Sequence, residues 1–275
     1  LPRILIALCV VLASMSTSAQ GASRVVTLAP HLAELVCMAG ACERLVGVGD
    51  YTDVPALQSL PRVGNAYTAN AEAVLALRPD WVLVWDGGTP AETTRRLSAL
   101  GLPVEAIRVR GLDDIPLAIE RIGRRLKTDA TALAAAKTYR ERLQGLRARY
   151  AHRTPLRAFY QIETAPAFTI NRRSPIHEAL ALCGAVNVFA DLPVIAGAIT
   201  DEAVLAARPD VVVTTDFESR AALDAYWRRF PQLPASHNRV VVSADTMTRS
   251  SPRVLDGVQE LCEGLDRVRR QRDAS

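Results

Sequence analysis

The chain has 275 residues, 49% of them hydrophobic and 23% charged, the composition of a soluble globular protein with room for one large or two ordinary domains. Its formal charge of +4 comes from 33 basic and 29 acidic residues scattered along the sequence, and only residues 267–272 resemble a charged tail. A clustered basic face for nucleic acid is therefore not expected.

At the N-terminus, Arg3 precedes an apolar run over residues 4–13, followed by small polar residues and Thr17-Ser18-Ala19. That order predicts an export signal over residues 1–22, because the run is too short to span a membrane. Cys9 lies inside the run in a setting unlike a lipid-attachment box. The mature protein is expected to be soluble and exported, beginning near residues 20–23.

Residues 24–28 form a β-rich run ending at Ala29-Pro30, and residues 31–39 read as a helix with Leu32, Leu35, Val36 and Ala39 on one face, closed by Gly40. A strand follows at 45–48, then a helix and strand over 70–84, a helix at 91–100 and a strand at 104–109. This alternation predicts a largely parallel sheet. Residues 112–150 depart from it, with apolar residues from Leu117 to Leu146 at near-helical spacing and no proline after Pro116. They predict one long helix, or two with a break near Thr128-Asp129. As one helix it would cross between lobes and hold them rigidly.

After Pro155 the opening pattern returns, with a strand at 156–161, a helix at 176–182 closed by Cys183-Gly184, and a strand at 187–189. An eleven-residue phrase beginning at Glu72 then recurs at Glu202 with nine positions identical: Glu-Ala-Val-Leu-Ala-Leu-Arg-Pro-Asp-Trp-Val against Glu-Ala-Val-Leu-Ala-Ala-Arg-Pro-Asp-Val-Val. Each copy reads as a short helix stopped by proline and followed by a buried strand. A helix at 221–227, a strand at 239–243 and a terminal helix from 252 to about 268 complete the chain. The fold class is thus α/β, two similar lobes with a cleft between them: an N-terminal lobe over 23–111, a helical connection over 112–150 and a C-terminal lobe over 151–275.

Cys37, Cys42, Cys183 and Cys262 remain once Cys9 is removed, an even number in an oxidising compartment. Three pairings are possible. A chain reversal at Gly40 favours Cys37 with Cys42 and Cys183 with Cys262; buried free thiols are the alternative. The spacings do not form paired zinc ligands.

With these pieces in view, the chain resembles the helical-linker class of periplasmic binding proteins, the solute-binding subunits of ABC importers for cobalamin, iron siderophores and haem, and within it the cobalamin-binding branch. The resemblance covers residues 24 to about 265 and rests on Val-Gly-Val-Gly-Asp50-Tyr51-Thr-Asp53, the two phrases, Val-Trp85-Asp-Gly-Gly88, Ala167-Phe168-Thr, Cys183-Gly and Ser250-Ser251-Pro252-Arg253. It implies a periplasmic location, a monomer, no cofactor, and a corrinoid ligand held by Tyr51, Tyr67, Trp85, Phe168, Asp245 and Arg249. Glu72 and Glu202 match glutamates that dock on an inner-membrane permease dimer in this family. From the residues alone, each sits at a helix start behind Asn70 or Thr200, where a carboxylate meets the helix dipole. Ala66, Ala196 and Thr246 stand where the cobalamin-binding branch carries further aromatic rings.

Other functions have less support. Gly-x-Ser-x-Gly, a P-loop and a Gly-x-Gly-x-x-Gly after the first strand are missing, so an enzyme is not expected. His31, His152, His177 and His237 lack metal-ligand spacing; His31 beside Asp245 or Asp86 is the one set available to a bare ion, and no metal site is expected. Siderophore or haem binding is the alternative within the same family, with Arg172, Arg173 and Arg249 as candidate anion contacts.

Overall fold

The computed structural model describes residues 23–274, so the expected export signal over residues 1–22 lies outside the described residues. The first lobe contains β1 (Val25–Thr27), α1 (Pro30–Met38), β2 (Leu45–Gly47), α2 (Ala71–Ala76), β3 (Trp81–Trp85), α3 (Ala91–Ala99) and β4 (Val104–Ile107). Two helices follow, α4 (Asp114–Leu126) and α5 (Asp129–Tyr150). The second lobe contains β5 (Leu156–Tyr160), β6 (Glu163–Thr164), β7 (Ala167–Ile170), α6 (Pro175–Leu182), β8 (Ala185–Asn187), β9 (Ala196–Ala198), α7 (Asp201–Ala207), β10 (Val211–Thr215), α8 (Arg220–Trp227), β11 (Arg239–Val242), α9 (Ala244–Met247) and α10 (Val254–Asp273).

Each lobe is built on a four-stranded parallel sheet, in the orders β2-β1-β3-β4 and β8-β5-β10-β11. These are the same topology: in each, the lobe's first principal strand lies between its second and third. Crossovers between parallel strands need helices on the sheet faces, which is why helices and buried strands alternate in the sequence. The second lobe adds an antiparallel sheet, β6-β7-β9, absent from the expected elements.

The repeated phrase has a structural cause. Asp80 and Asp210 each accept a backbone N–H near the start of the neighbouring central strand, from Arg24 and Arg157, at 2.8 Å in both lobes. Arg24 in turn donates to the Leu77 carbonyl at the end of α2, while Arg157 donates to Ala207 and Arg208 at the end of α7. The residue before each proline, Arg78 or Arg208, takes a left-handed conformation with φ of 45° or 44°. Proline excludes the right-handed helical region there, and the left-handed turn reverses the chain from helix to strand.

The helical connection is a hairpin rather than one continuous helix. Lys127 is left-handed (φ 59°) and α5 folds back along α4. Ion pairs Glu120–Arg140 and Asp113–Arg147 run antiparallel across the pair. Alpha5 reaches the second lobe, where Arg147 meets Glu178 on α6 and Arg142 meets Asp256 on α10. At 1.5 Å per residue its length is roughly 33 Å.

A single buried apolar cluster includes Val25 and Leu83 from the first sheet, Ile119 and Leu143 from the hairpin, and Val211 and Leu261 from the second lobe. The lobes therefore share a core along one side, which resists hinge motion. Two disulfides reinforce it: Cys37–Cys42 closes the turn after α1, at Gly40 (φ 80°), and Cys183–Cys262 ties α6 to α10. Alpha10 runs on to Asp273, so the basic residues 267–272 lie on a helix. Among the described residues, no helix is long and apolar enough to cross a membrane.

Candidate functional site

In parallel α/β sheets, side chains beyond the carboxyl ends of the strands are free of ladder bonding and face a crevice. Here both sheets contribute to one cavity of about 470 Å³. The first lobe supplies the segment after β3 (Trp85, Asp86, Gly87) and the segment after β4 from Arg108 to Leu112. Facing these are Arg173, Pro175, Ile176 and Ile195, with Met247 and Arg249 from the segment around α9. The lining is mostly apolar with a few charged groups, the usual make-up of a small-molecule site.

Trp85 ends β3 and is half-buried, with its ring over Gly88, where any Cβ would collide with the indole. Its backbone N–H donates to the Thr89 hydroxyl at 3.0 Å, fixing the turn. His31 packs edge-on against the indole at 5.2 Å between ring centroids. The imidazole is buried, and its Nε2 has no hydrogen-bond partner among the described residues. Burial, with the Arg249 guanidinium nearby, pushes it down to about 4, so it is neutral at physiological pH. Neutral His31 is thus part of the wall that holds Trp85. Among the described residues, no group of three or more His, Cys, Asp or Glu is arranged to hold a metal ion.

Arg249 sits in a cross-lobe ion cluster. It donates to Asp53 at 2.6 Å, to Asp245 at 2.7 Å and to Glu34 at 3.2 Å. Arg253 reaches Glu34 at 3.1 Å and Asp53 at 3.0 Å. Burial alone raises the Asp53 carboxyl, but hydrogen bonds from Arg249 and Arg253 outweigh it and hold the group below the usual carboxylate range. Glu34 is 6% exposed, so removing either arginine would leave a desolvated charge short of a partner.

Of the residues expected to hold ligand, Trp85 and Arg249 line this cavity, and Asp245 joins it through Arg249. Tyr51 is 80% exposed and left-handed (φ 62°), on the loop that carries Asp53, and does not line the cavity. Tyr67 lies in a separate shallow groove beside Pro90 and Arg96. Phe168 is part-buried in the antiparallel sheet, opposite Ala198. Ala66 is buried, Ala196 is exposed on β9, and the Thr246 hydroxyl donates to Ser243. Of the candidate anion contacts, Arg173 lines the cavity, whereas Arg172 pairs with Asp191.

Glu72 and Glu202 are both exposed, one per lobe, in the first turns of α2 and α7. Asn70 and Thr200 cap those helices by accepting from Ala73 and Ala203. Hydrogen bonds from its own N–H and from Thr200 hold the Glu202 carboxyl below the usual range.

Four cavity or cluster residues, Glu34, Asp53, Arg108 and Arg110, were not singled out for a role by the sequence. Arg108 and Arg110 were within reach of the same rule that selects Trp85, because both follow the carboxyl end of a parallel strand. Glu34 was not, since its Arg249 partner is 215 positions away.

The comparisons agree with this architecture. Residues 25–246 match the family described as periplasmic binding protein. The vitamin B12-binding protein of Vibrio cholerae is 36% identical over 255 residues, covering 91% of each chain. That of Yersinia pseudotuberculosis is 34% identical over 96% of this chain and 93% of its own. Among solved structures, the periplasmic vitamin B12-binding protein of Vibrio cholerae superposes with a TM-score of 0.82 at 34% identity, over 90% of this chain and 98% of that one. A periplasmic haem-binding protein in complex with two haems gives 0.81 at 25% identity, over 90% and 99%. With matched parallel sheets, a cavity at their strand ends and agreement over nearly the whole described length, the chain belongs to the periplasmic binding protein family.

Proposed function

We propose that this protein is the periplasmic solute-binding subunit of an ABC importer, and that it captures cobalamin or a related corrinoid between its lobes. The observation that carries the reading is the cavity at the carboxyl ends of both sheets, with the half-buried Trp85 ring on its wall. A corrin is a broad, largely apolar disk with amide arms, so a flat ring supplies contact area and a few polar groups orient it. The similarity to vitamin B12-binding proteins supports the same ligand class. The shared core allows only slight closure, and Glu72 and Glu202 present the loaded protein to complementary basic patches on a permease dimer. ATP hydrolysis belongs to the transporter; the role of this chain is capture.

Haem binding is the second reading, favoured by the likeness to the haem-binding structure and by the arginines in the cavity. Calorimetric titration of the purified protein with cyanocobalamin, haem and a ferric siderophore separates the two. Submicromolar binding of cyanocobalamin, about 8 kcal/mol or more, is expected; saturation by haem with no heat from cyanocobalamin would replace the first reading with the second. Glu72→Lys with Glu202→Lys is expected to abolish reconstituted transport while leaving ligand affinity intact.

A further inference from the structure

Four arginines, Arg108, Arg110, Arg173 and Arg249, line the cavity against one carboxylate, Asp86. Two of the four are neutralised within the protein: Arg108 by Asp86, and Arg249 by Glu34, Asp53 and Asp245. Arg110 and Arg173 differ. The Arg173 guanidinium donates to the Pro193 carbonyl at 2.8 Å and forms no ion pair among the described residues. Arg110 engages Asp114 through its backbone N–H, which leaves the guanidinium without a carboxylate partner among the described residues.

The two side chains come from opposite lobes. Arg110 lies in the loop after β4, and Arg173 directly precedes Ser174, the N-cap of α6. The partial positive charge of that helix start adds to the guanidinium beside it. The same cavity carries an apolar lining that includes Leu112, Ile115, Ile176 and Ile195. A bound disk would displace water from this wall, and a guanidinium beside a dehydrated surface attracts an anionic oxygen more strongly than one in bulk water.

We propose that Arg110 and Arg173 form an anion-reading pair that selects ligands carrying a phosphodiester or carboxylate at the edge of the macrocycle over neutral analogues. This rests on the corrinoid reading above. It also assigns Arg249 a different task, that of joining the lobes, since its charge is already matched.

The test compares three ligands on the full mature protein: cyanocobalamin, which carries a phosphodiester; dicyanocobyrinic acid, which carries free carboxylates; and dicyanocobinamide, which carries neither. Arg110→Gln with Arg173→Gln is expected to weaken binding of at least one acid-bearing ligand by about tenfold or more, and that of dicyanocobinamide by less than about threefold. Loss confined to cyanocobalamin assigns the pair to phosphodiester; loss confined to dicyanocobyrinic acid assigns it to carboxylate. Arg110→Lys with Arg173→Lys should retain most of the preference, and the thermal midpoints should match because both arginines are exposed. Equal weakening of all three ligands, or of none, overturns the anion-reading pair while the corrinoid reading stands. Failure of the unaltered protein to bind any of the three removes the corrinoid reading and this inference with it.

Discussion

The two lobes are alike where the repeated phrase builds the scaffold and unlike beyond it, at the ends of the strands that follow. In both, an aspartate accepts a backbone N–H at the start of the central strand at 2.8 Å and an arginine covers the end of the preceding helix. Beyond the strands the lobes part. Beta3 ends at Trp85, with the indole on the cavity wall, and is followed by Asp86-Gly87, whereas β10 is followed by Asp216-Phe217, with the Phe217 ring 82% exposed. Asp86 pairs with Arg108, while Asp216 accepts the backbone N–H of Ala244. Backbone ties constrain the repeated residues; the loops at the strand ends are free to differ, and those after β3 and β4 line the cavity.

The largest expected difference between the lobes lies in their disulfides. Cys183–Cys262 closes a loop of separation 79 and Cys37–Cys42 one of separation 5. In the chain-entropy account, replacing the first pair by alanine costs about 4.5 kcal/mol and the second about 2 kcal/mol. Urea unfolding of the two double variants measures both; equal losses would show that loop closure does not govern the contrast.

The helix starts give the next contrast. Proline opens both α1 and α6, but the next residue is buried His31 in one and Ile176 in the other. His31 is held near 4 in the folded protein against 6.5 for an ordinary imidazole, so the unfolded chain takes up the proton first as pH falls. Its contribution is complete above about pH 6.5 and is lost between there and about pH 4, by up to about 3 kcal/mol. The stability difference between the unaltered protein and His31→Leu, followed across that range, should show this slope. A constant difference would mean that the imidazole does not change charge there.

At the strand ends, Trp85→Ala is expected to weaken ligand binding by about 2–3 kcal/mol, the range for a central aromatic anchor. Phe217→Ala should change affinity and stability by less than about 0.5 kcal/mol if the exposed ring touches nothing. A large affinity loss at Phe217 would place ligand contacts on both lobes symmetrically. The scaffold ties act on stability alone: Asp80→Ala and Asp210→Ala should each cost about 1–2 kcal/mol of stability and leave affinity unchanged. Matching losses would confirm that the phrase is a structural device in both copies.

Much of this was legible because the lobes are made of local signals: proline after a short helix, apolar runs of strand length, glycine at helix ends. The hairpin break stayed open because α4 and α5 continue one apolar period, and its turn uses left-handed Lys127 in place of the glycine usual at that position. The sheet β6-β7-β9 escaped notice because its strands are two to four residues long. Trp85 was readable as a ring at a strand's end. The ion cluster of Glu34, Asp53, Arg249 and Arg253 was not, because only folding brings residues some 200 positions apart together.

The most direct test is a crystal structure of the protein bound to cyanocobalamin. The account predicts the corrin ring between the lobes, in contact with Trp85 and within reach of Arg110 and Arg173. A ligand bound away from the strand ends, with Trp85 untouched, would contradict it.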